Sequence, residues 1–169
     1  MLKKIIFGSM LLLATTSVFA DEPMPYVGAN VGLAVNTNPG NNFRGIPLGV
    51  LAGYGGQISS SLYLAGEVFV TIITPQLDSN GNVKSNYNYG ISLLPGMFLS
   101  QHTMGYLRLS LVKTHFPQLK TTKTGGQLGV GVQTSMTQSF DVRGEYIFSR
   151  YSGSLNTDQF NIGLIYKFM

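Results

Sequence analysis

The sequence predicts an all-β fold: an eight-stranded antiparallel up-and-down transmembrane β-barrel, preceded by a cleaved signal peptide. Three observations point there. Apolar residues alternate with small or polar ones through eight segments of about ten residues, the length at which a tilted strand crosses a bilayer. Charged residues make up 11% of the 169 residues, against ~25% in an ordinary soluble domain, while glycine contributes 21. Finally, the links between the alternating segments are by turns short and long.

The first segment to be set aside is the start. Lys3 and Lys4 form a positive region, Ile5 to Ala14 are mostly apolar, and Val18-Phe19-Ala20 ends in a small residue before Asp21 and Glu22. That is the layout of a secretory signal peptide cleaved after Ala20. The apolar run is shorter than the ~20 residues of a spanning helix, and Thr15, Thr16 and Ser17 interrupt it. Residues 1–20 are thus expected to be removed, and residues 21–169 to form one barrel domain. Lys3 and Lys4 carry two of the net +4, so +2 remains on the mature chain. With that modest charge and no basic stripe, nucleic acid is not an expected partner.

Each strand follows from period-two patterning. Val27, Ala29, Val31, Leu33 and Val35 alternate with Gly28, Asn30 and Gly32. From Ile46 to Gly56, Leu48, Val50, Ala52 and Tyr54 oppose Gly49, Leu51, Gly53 and Gly55. Leu62, Leu64, Val68 and Val70 oppose Tyr63, Ala65, Glu67 and Phe69; Tyr87, Tyr89, Ile91, Leu93 and Met97 oppose Asn88, Gly90, Ser92 and Gly96. In the second half, Leu107, Leu109 and Leu111 oppose Tyr106, Arg108 and Ser110, and Leu128, Val130 and Val132 oppose Gln127, Gly129, Gly131 and Gln133. Phe140, Val142, Tyr146 and Phe148 oppose Asp141, Arg143, Glu145 and Ser149, and the last strand sets Phe160, Ile162, Leu164, Tyr166 and Phe168 against Asn161, Gly163 and Lys167.

A soluble sandwich alternates too; the location of charge separates the two. Glu67, Arg108, Asp141, Arg143, Glu145 and Lys167 share the face that carries the glycines and amides, whereas Lys113 and Arg150, the charges on the apolar faces, stand at strand ends. A glycine-rich polar face suits a narrow, filled interior, and the apolar face then meets lipid. Short links fall near Gln57–Ser61, Ser100–Thr103 and Ser135–Gln138. The longer ones, Thr37–Gly45, Thr74–Asn86, Thr114–Gly125 and Ser152–Asp158, are rich in turn-forming residues and are expected to be external loops. An even strand count places both termini on the periplasmic side.

With these residues in view, the chain resembles the small outer-membrane barrels: the transmembrane domain of OmpA, OmpX and the opacity-type surface proteins. The most specific part is the terminal run Asn161, Gly163, Tyr166 and Phe168, which matches the family's assembly signal, although Met169 follows the usual terminal aromatic. The stretch from Gly126 to Tyr151 is also similar to these proteins. The resemblance implies location in the cell outer membrane, contact with outer-membrane lipid and lipopolysaccharide, and engagement of the barrel assembly machinery. In the absence of tryptophan, tyrosine and phenylalanine must form the interfacial girdles.

The candidates for chemistry are few. No cysteine and two histidines leave little for a metal centre or a thiol nucleophile, and no cofactor motif is present. Glu67, Arg108 and Glu145 each lie about five residues from the short-link end of their strands, hence at one depth, with Arg108 expected to be shared between the two carboxylates. Paired, the lumenal charges close the interior; an ion path is the alternative use of the same residues. Lys113, Lys120 and Lys123 form a basic outer loop suited to lipopolysaccharide or to host surface and envelope molecules. The expected function is therefore non-enzymatic: a structural or surface-interaction role with no catalytic, cofactor or metal residues. The alternatives are a narrow pore for small solutes and a lipid-modifying enzyme using His115, Ser152, Ser154 and Asp158.

Overall fold

Backbone pairing joins each segment to its chain neighbours and then joins the last to the first. The computed structural model describes residues 23–38, 41–73, 87–116, 121–151 and 155–168; the expected signal peptide and the Thr74–Asn86 loop lie outside them. The described strands are β1 (Met24–Asn38), β2 (Asn41–Gly45), β3 (Leu48–Gln57), β4 (Leu62–Ile73), β5 (Tyr87–Phe98), β6 (Thr103–Phe116), β7 (Thr121–Ser135), β8 (Phe140–Tyr151) and β9 (Leu155–Lys167). β2 and β3 both pair with β1 and make one barrel strand, interrupted at Ile46 and Pro47. The interruption has a local cause: Pro47 has no N–H to give the ladder, though its carbonyl still accepts the Gly32 N–H at 3.1 Å.

Pairing of β1 with β9 closes an antiparallel barrel of eight strands. Closure leaves no sheet edge, so each strand finds its backbone partners within the wall. The register fixes the stagger. From Val35 of β1 it runs through Asp158, Phe148, Leu128, Leu109, Leu93, Gly66 and Tyr54 and returns to β1 at Pro25, ten residues lower. Eight strands with that shear tilt by roughly 40–45° to the barrel axis.

The two faces separate as the alternation requires. Leu111 is 63% exposed and its neighbour Val112 is 1% exposed. Inside, Tyr26, Leu51, Ala65, Leu94, Tyr106 and Ile165 pack together, with Tyr63 and Phe69 against them. Two glycines make room for rings: a Cβ on Gly53 would overlap the Tyr26 ring, and one on Gly131 would overlap Tyr106. The turns at 58–61, 99–102 and 136–139 are short, each closed by backbone hydrogen bonds such as Leu99 N–H to Thr103 O at 2.9 Å.

At the opposite end the strands run further than the sequence pattern suggests. Three of the expected loops are largely paired backbone: Asn38 pairs with Asn41, Phe116 with Thr121 and Tyr151 with Leu155. Hairpin pairing and β-favouring threonines (Thr121, Thr122 and Thr124) extend strands where alternation of polarity has ended. Asp158, expected in the last loop, consequently lies within β9.

Candidate functional site

The interior is organised by rows of residues across neighbouring strands. Tyr26 on β1 stands opposite Gly53 on β3, which stands opposite Glu67 on β4. Because glycine has no side chain, the tyrosine ring lies flat across it and its hydroxyl donates to Glu67 Oε1 at 2.9 Å. The same row recurs as Tyr106, Gly131 and Glu145 on β6, β7 and β8, with the Tyr106 hydroxyl 2.9 Å from Glu145 Oε2.

Two arginines join the rows. Arg108 places Nη2 2.5 Å from Glu67 Oε2 and Nε 2.9 Å from Glu145 Oε2, and donates through Nη1 to Ser92 Oγ at 2.9 Å. Arg143 reaches from β8 to β4, half-way round an eight-stranded barrel, and places Nη1 2.5 Å from Glu67 Oε1. Its guanidinium sits 5.1 Å from the Tyr106 ring centre and 5.9 Å from that of Tyr26, and it also donates to Gln133 Oε1. Glu67, Arg108, Arg143 and Glu145 are all buried. Desolvated charges of this kind are costly unless paired; here two acids meet two bases. A second neutral pair lies nearer the short turns, with Lys167 Nζ 2.7 Å from Asp141 Oδ1 and Gln133 donating to Asp141 Oδ2 at 2.6 Å.

On either side of this layer the lumen differs. Toward the short turns is a vestibule of about 180 Å³ bounded by Tyr63, Phe98, His102, Asp141 and Lys167. Toward the long hairpins a void of only about 20 Å³ touches Arg108, Glu145, Gln127 and Asn161. Beyond it the inner wall is polar, with Ser110, Thr114, Gln127 and Ser149 buried.

The outer surface is apolar through mid-strand, with Leu109, Ile91, Val130 and Ile162 among its exposed residues. Such a band on a closed barrel has a lipid bilayer as its natural solvent. The chain belongs to the outer membrane protein beta-barrel domain family. The family's model matches residues 7–168. Among solved structures, the chain is similar to the Neisserial surface protein A, NspA, at 18% identity and a TM-score of 0.63, covering 88% of this chain and 100% of that one. It is similar to Ail, the attachment invasion locus protein of Yersinia pestis, solved in complex with the heparin analogue sucrose octasulfate, at 14% identity and a TM-score of 0.63 over 88% and 100%. The backbone structure of Ail in a phospholipid bilayer nanodisc matches at 17% identity and a TM-score of 0.52, over 85% and 99%. Comparison with curated protein sequences finds no match.

As an outer-membrane barrel, the molecule has its short turns on the periplasmic side and its long hairpins outside. Lys113 is exposed on the outward face at the external end of β6. Lys123 pairs through its backbone with Thr114, and His115 with Thr122; Lys120, Ser152 and Ser154 lie outside the described residues. Asp158 stands on the outward face beside Val35 and Phe148, and the Tyr146 hydroxyl donates to Asp158 Oδ1. At the C-terminus, Asn161 and Gly163 are buried in the lumenal wall, while Tyr166 and Phe168 face outward with ring centres 5.0 Å apart. Phe140 adds a ring 5.1 Å from Tyr166 and completes an aromatic group at the periplasmic interface.

Sequence reasoning missed Tyr26, which closes the first row, and the reach of Arg143 to Glu67. A readable clue existed for half of each row. A short turn centred near Ser60 sets Gly53 opposite Glu67, and one centred near Gln138 sets Gly131 opposite Glu145.

Proposed function

We propose that this protein is a non-enzymatic surface component of the outer membrane, its lumen closed by its own side chains and its contacts made at the external rim. The observation that carries the reading is the Arg143–Glu67 pair, which ties opposite walls of the barrel and is braced by Arg108 and Tyr26. A solute crossing the lumen would have to separate buried ion pairs, at a cost of several kcal/mol. The void above the pair has room for about one water molecule. Neither feature favours a pore.

With the interior filled, interaction falls to the hairpins outside the membrane, as is usual for loops on a rigid scaffold. Lys113, Lys120 and Lys123 belong to the β6–β7 hairpin and its connection, and offer a basic group to phosphate or sulfate. The fold is shared with Ail, which was solved with a heparin analogue, and this supports polyanionic envelope or host-surface molecules as the ligand class. Changing all three lysines to glutamine should leave the barrel folded but weaken binding to heparin or lipopolysaccharide, and wild-type binding should fall with added salt. Unchanged binding by the triple variant would discard the basic rim. Steady conductance of the wild type in planar bilayers would discard the closed lumen.

The terminal residues Asn161, Gly163, Tyr166 and Phe168 have a separate role in this reading, as the mark by which the assembly machinery takes up the chain. Phe168→Asp puts a charge on the lipid-side aromatic group and should lower the fraction that migrates as folded barrel on unheated SDS gels. Normal insertion of that variant would remove the role.

A further inference from the structure

The external face of the barrel is not evenly filled. Between β3 and β6 it has a groove of about 660 Å³ with an apolar floor that includes Val50, Ala52, Val70 and Ile91. Val50, Ala52, Val68 and Val70 are short, and the longer Tyr89 and Leu111 stand beside them in the lining. Lys113 is the one charged residue in the groove's lining, and among the described residues it has no ion-pair partner. Beside it on the outward face is Thr124, its register partner on β7.

Register gives the groove a direction. Lys113 lies opposite Tyr89, Tyr89 opposite Val70, and Val70 opposite Val50. Three strand spacings of ~4.8 Å make this row about 14 Å long. One full circuit in the same sense drops ten residues along β1 toward the periplasmic end. The row therefore descends from Lys113 into the bilayer, by about 10 Å at a tilt near 45°. A cation and a hydroxyl stand at the outer interface, and an apolar trough leads down and away from them.

We propose that this groove seats one acyl chain of lipid A, the phosphate-bearing glycolipid of the outer leaflet, with a phosphate held by Lys113 and Thr124. The charge of Lys113 selects an anionic head, the slope of the groove matches a chain that hangs from the outer interface, and the short side chains of its floor leave room for that chain. The inference rests on the outer-membrane orientation and makes the lipopolysaccharide contact specific to one wall.

The chain has no tryptophan, so a single reporter can be introduced. Tyr89→Trp places it in the groove. Phe160→Trp places it on the outward face of the diametrically opposite strand, at nearly the same depth by the same stagger. In vesicles of phosphatidylcholine with brominated acyl chains both reporters are quenched, and unbrominated lipid A relieves quenching wherever it displaces those chains. Lipid A should act on Tyr89→Trp at a mole fraction more than about fivefold lower than on Phe160→Trp, fivefold being the ratio that one lysine gives at any anionic lipid. Adding Lys113→Gln should erase that ratio, and Lys113→Arg should keep it, in barrels that migrate as folded on unheated gels. Equal relief at the two positions, or relief by phosphatidylglycerol as strong as by lipid A, would overturn the assignment. Heparin binding and conductance are separate measurements, so failure here is distinguishable from failure of the surface-protein reading.

Discussion

The barrel wall carries one lateral arrangement twice, and the two copies differ in what flanks them. Tyr26, Gly53 and Glu67 form the first row; Tyr106, Gly131 and Glu145 form the second. Two residues beyond Tyr106 comes Arg108, and two before Glu145 comes Arg143; the matching inward positions around the first row are Gly28 and Ala65. The second row thus brings both cations, and the first brings none. Glu67 is neutralised by residues from β6 and β8. The consequence is a coupling of halves: β1, β3 and β4 alone would bury an unpaired carboxylate, and only closure with β6 to β8 relieves it.

The largest expected effect tests that asymmetry directly. Glu67→Ala leaves Arg143 without its carboxylate and Arg108 with one of two, and should destabilise the folded barrel by ~3–5 kcal/mol. Glu145→Ala should cost less, because Arg108 and Arg143 both keep Glu67. Urea unfolding of vesicle-reconstituted barrels, followed by circular dichroism, measures both. Equal losses, or a larger loss for Glu145→Ala, would mean that the two rows are interchangeable.

Gly53→Ala and Gly131→Ala come next. Each sets a methyl group into a tyrosine ring and should cost ~1–3 kcal/mol, with similar values in the two rows because the local geometry is the same. Joining Gly131→Ala to Tyr106→Leu should recover part of the loss by removing the ring. No recovery would show that the backbone, and not the ring, sets the penalty.

Coupling between rows should appear at a comparable scale. A double-mutant cycle of Arg108→Gln with Glu67→Gln is expected to give an interaction of ~1–3 kcal/mol, since the pair is in direct contact and buried. Simple additivity would mean that water reaches the pair.

How much of this was legible from the sequence depends on which dimension is asked about. Along a strand, lipid on one side and the lumenal wall on the other force period-two segregation, so Leu111 and Val112 could be assigned opposite faces by parity. Across two strands joined by a short turn, counting outward from the turn pairs Gly53 with Glu67. Across the barrel the sequence is silent: Arg143 and Glu67 are 76 residues apart, and their meeting depends on a shear of ten that no local pattern encodes. Tyr26 is hidden for a related reason, because its partner Gly53 lies beyond the long hairpin and the break at Ile46 and Pro47. The external hairpins outrun the alternating pattern because they leave the bilayer, where polarity no longer has to alternate while backbone pairing continues.

The smallest effects separate the rows by the number of hydrogen bonds each carboxylate keeps. Glu67 accepts from Tyr26 at 2.9 Å and from two arginines at 2.5 Å each. Glu145 accepts from Tyr106 and Arg108 on one oxygen, both at 2.9 Å, and on the other from Asn161 at 3.4 Å. Tyrosine-to-phenylalanine changes keep the ring packed over its glycine and remove the hydroxyl alone. Tyr26→Phe leaves Glu67 held by two guanidinium groups, so the expected cost is at the low end of the ~0.5–1.5 kcal/mol usual for one hydrogen bond. Tyr106→Phe leaves Glu145 with a single guanidinium and a long amide contact, and its cost should lie at the upper end. Unfolding midpoints of the two variants, measured in the same vesicles, decide the order. A larger loss for Tyr26→Phe would show that Glu67 depends on its tyrosine despite the two arginines, and would reverse the ranking of the rows.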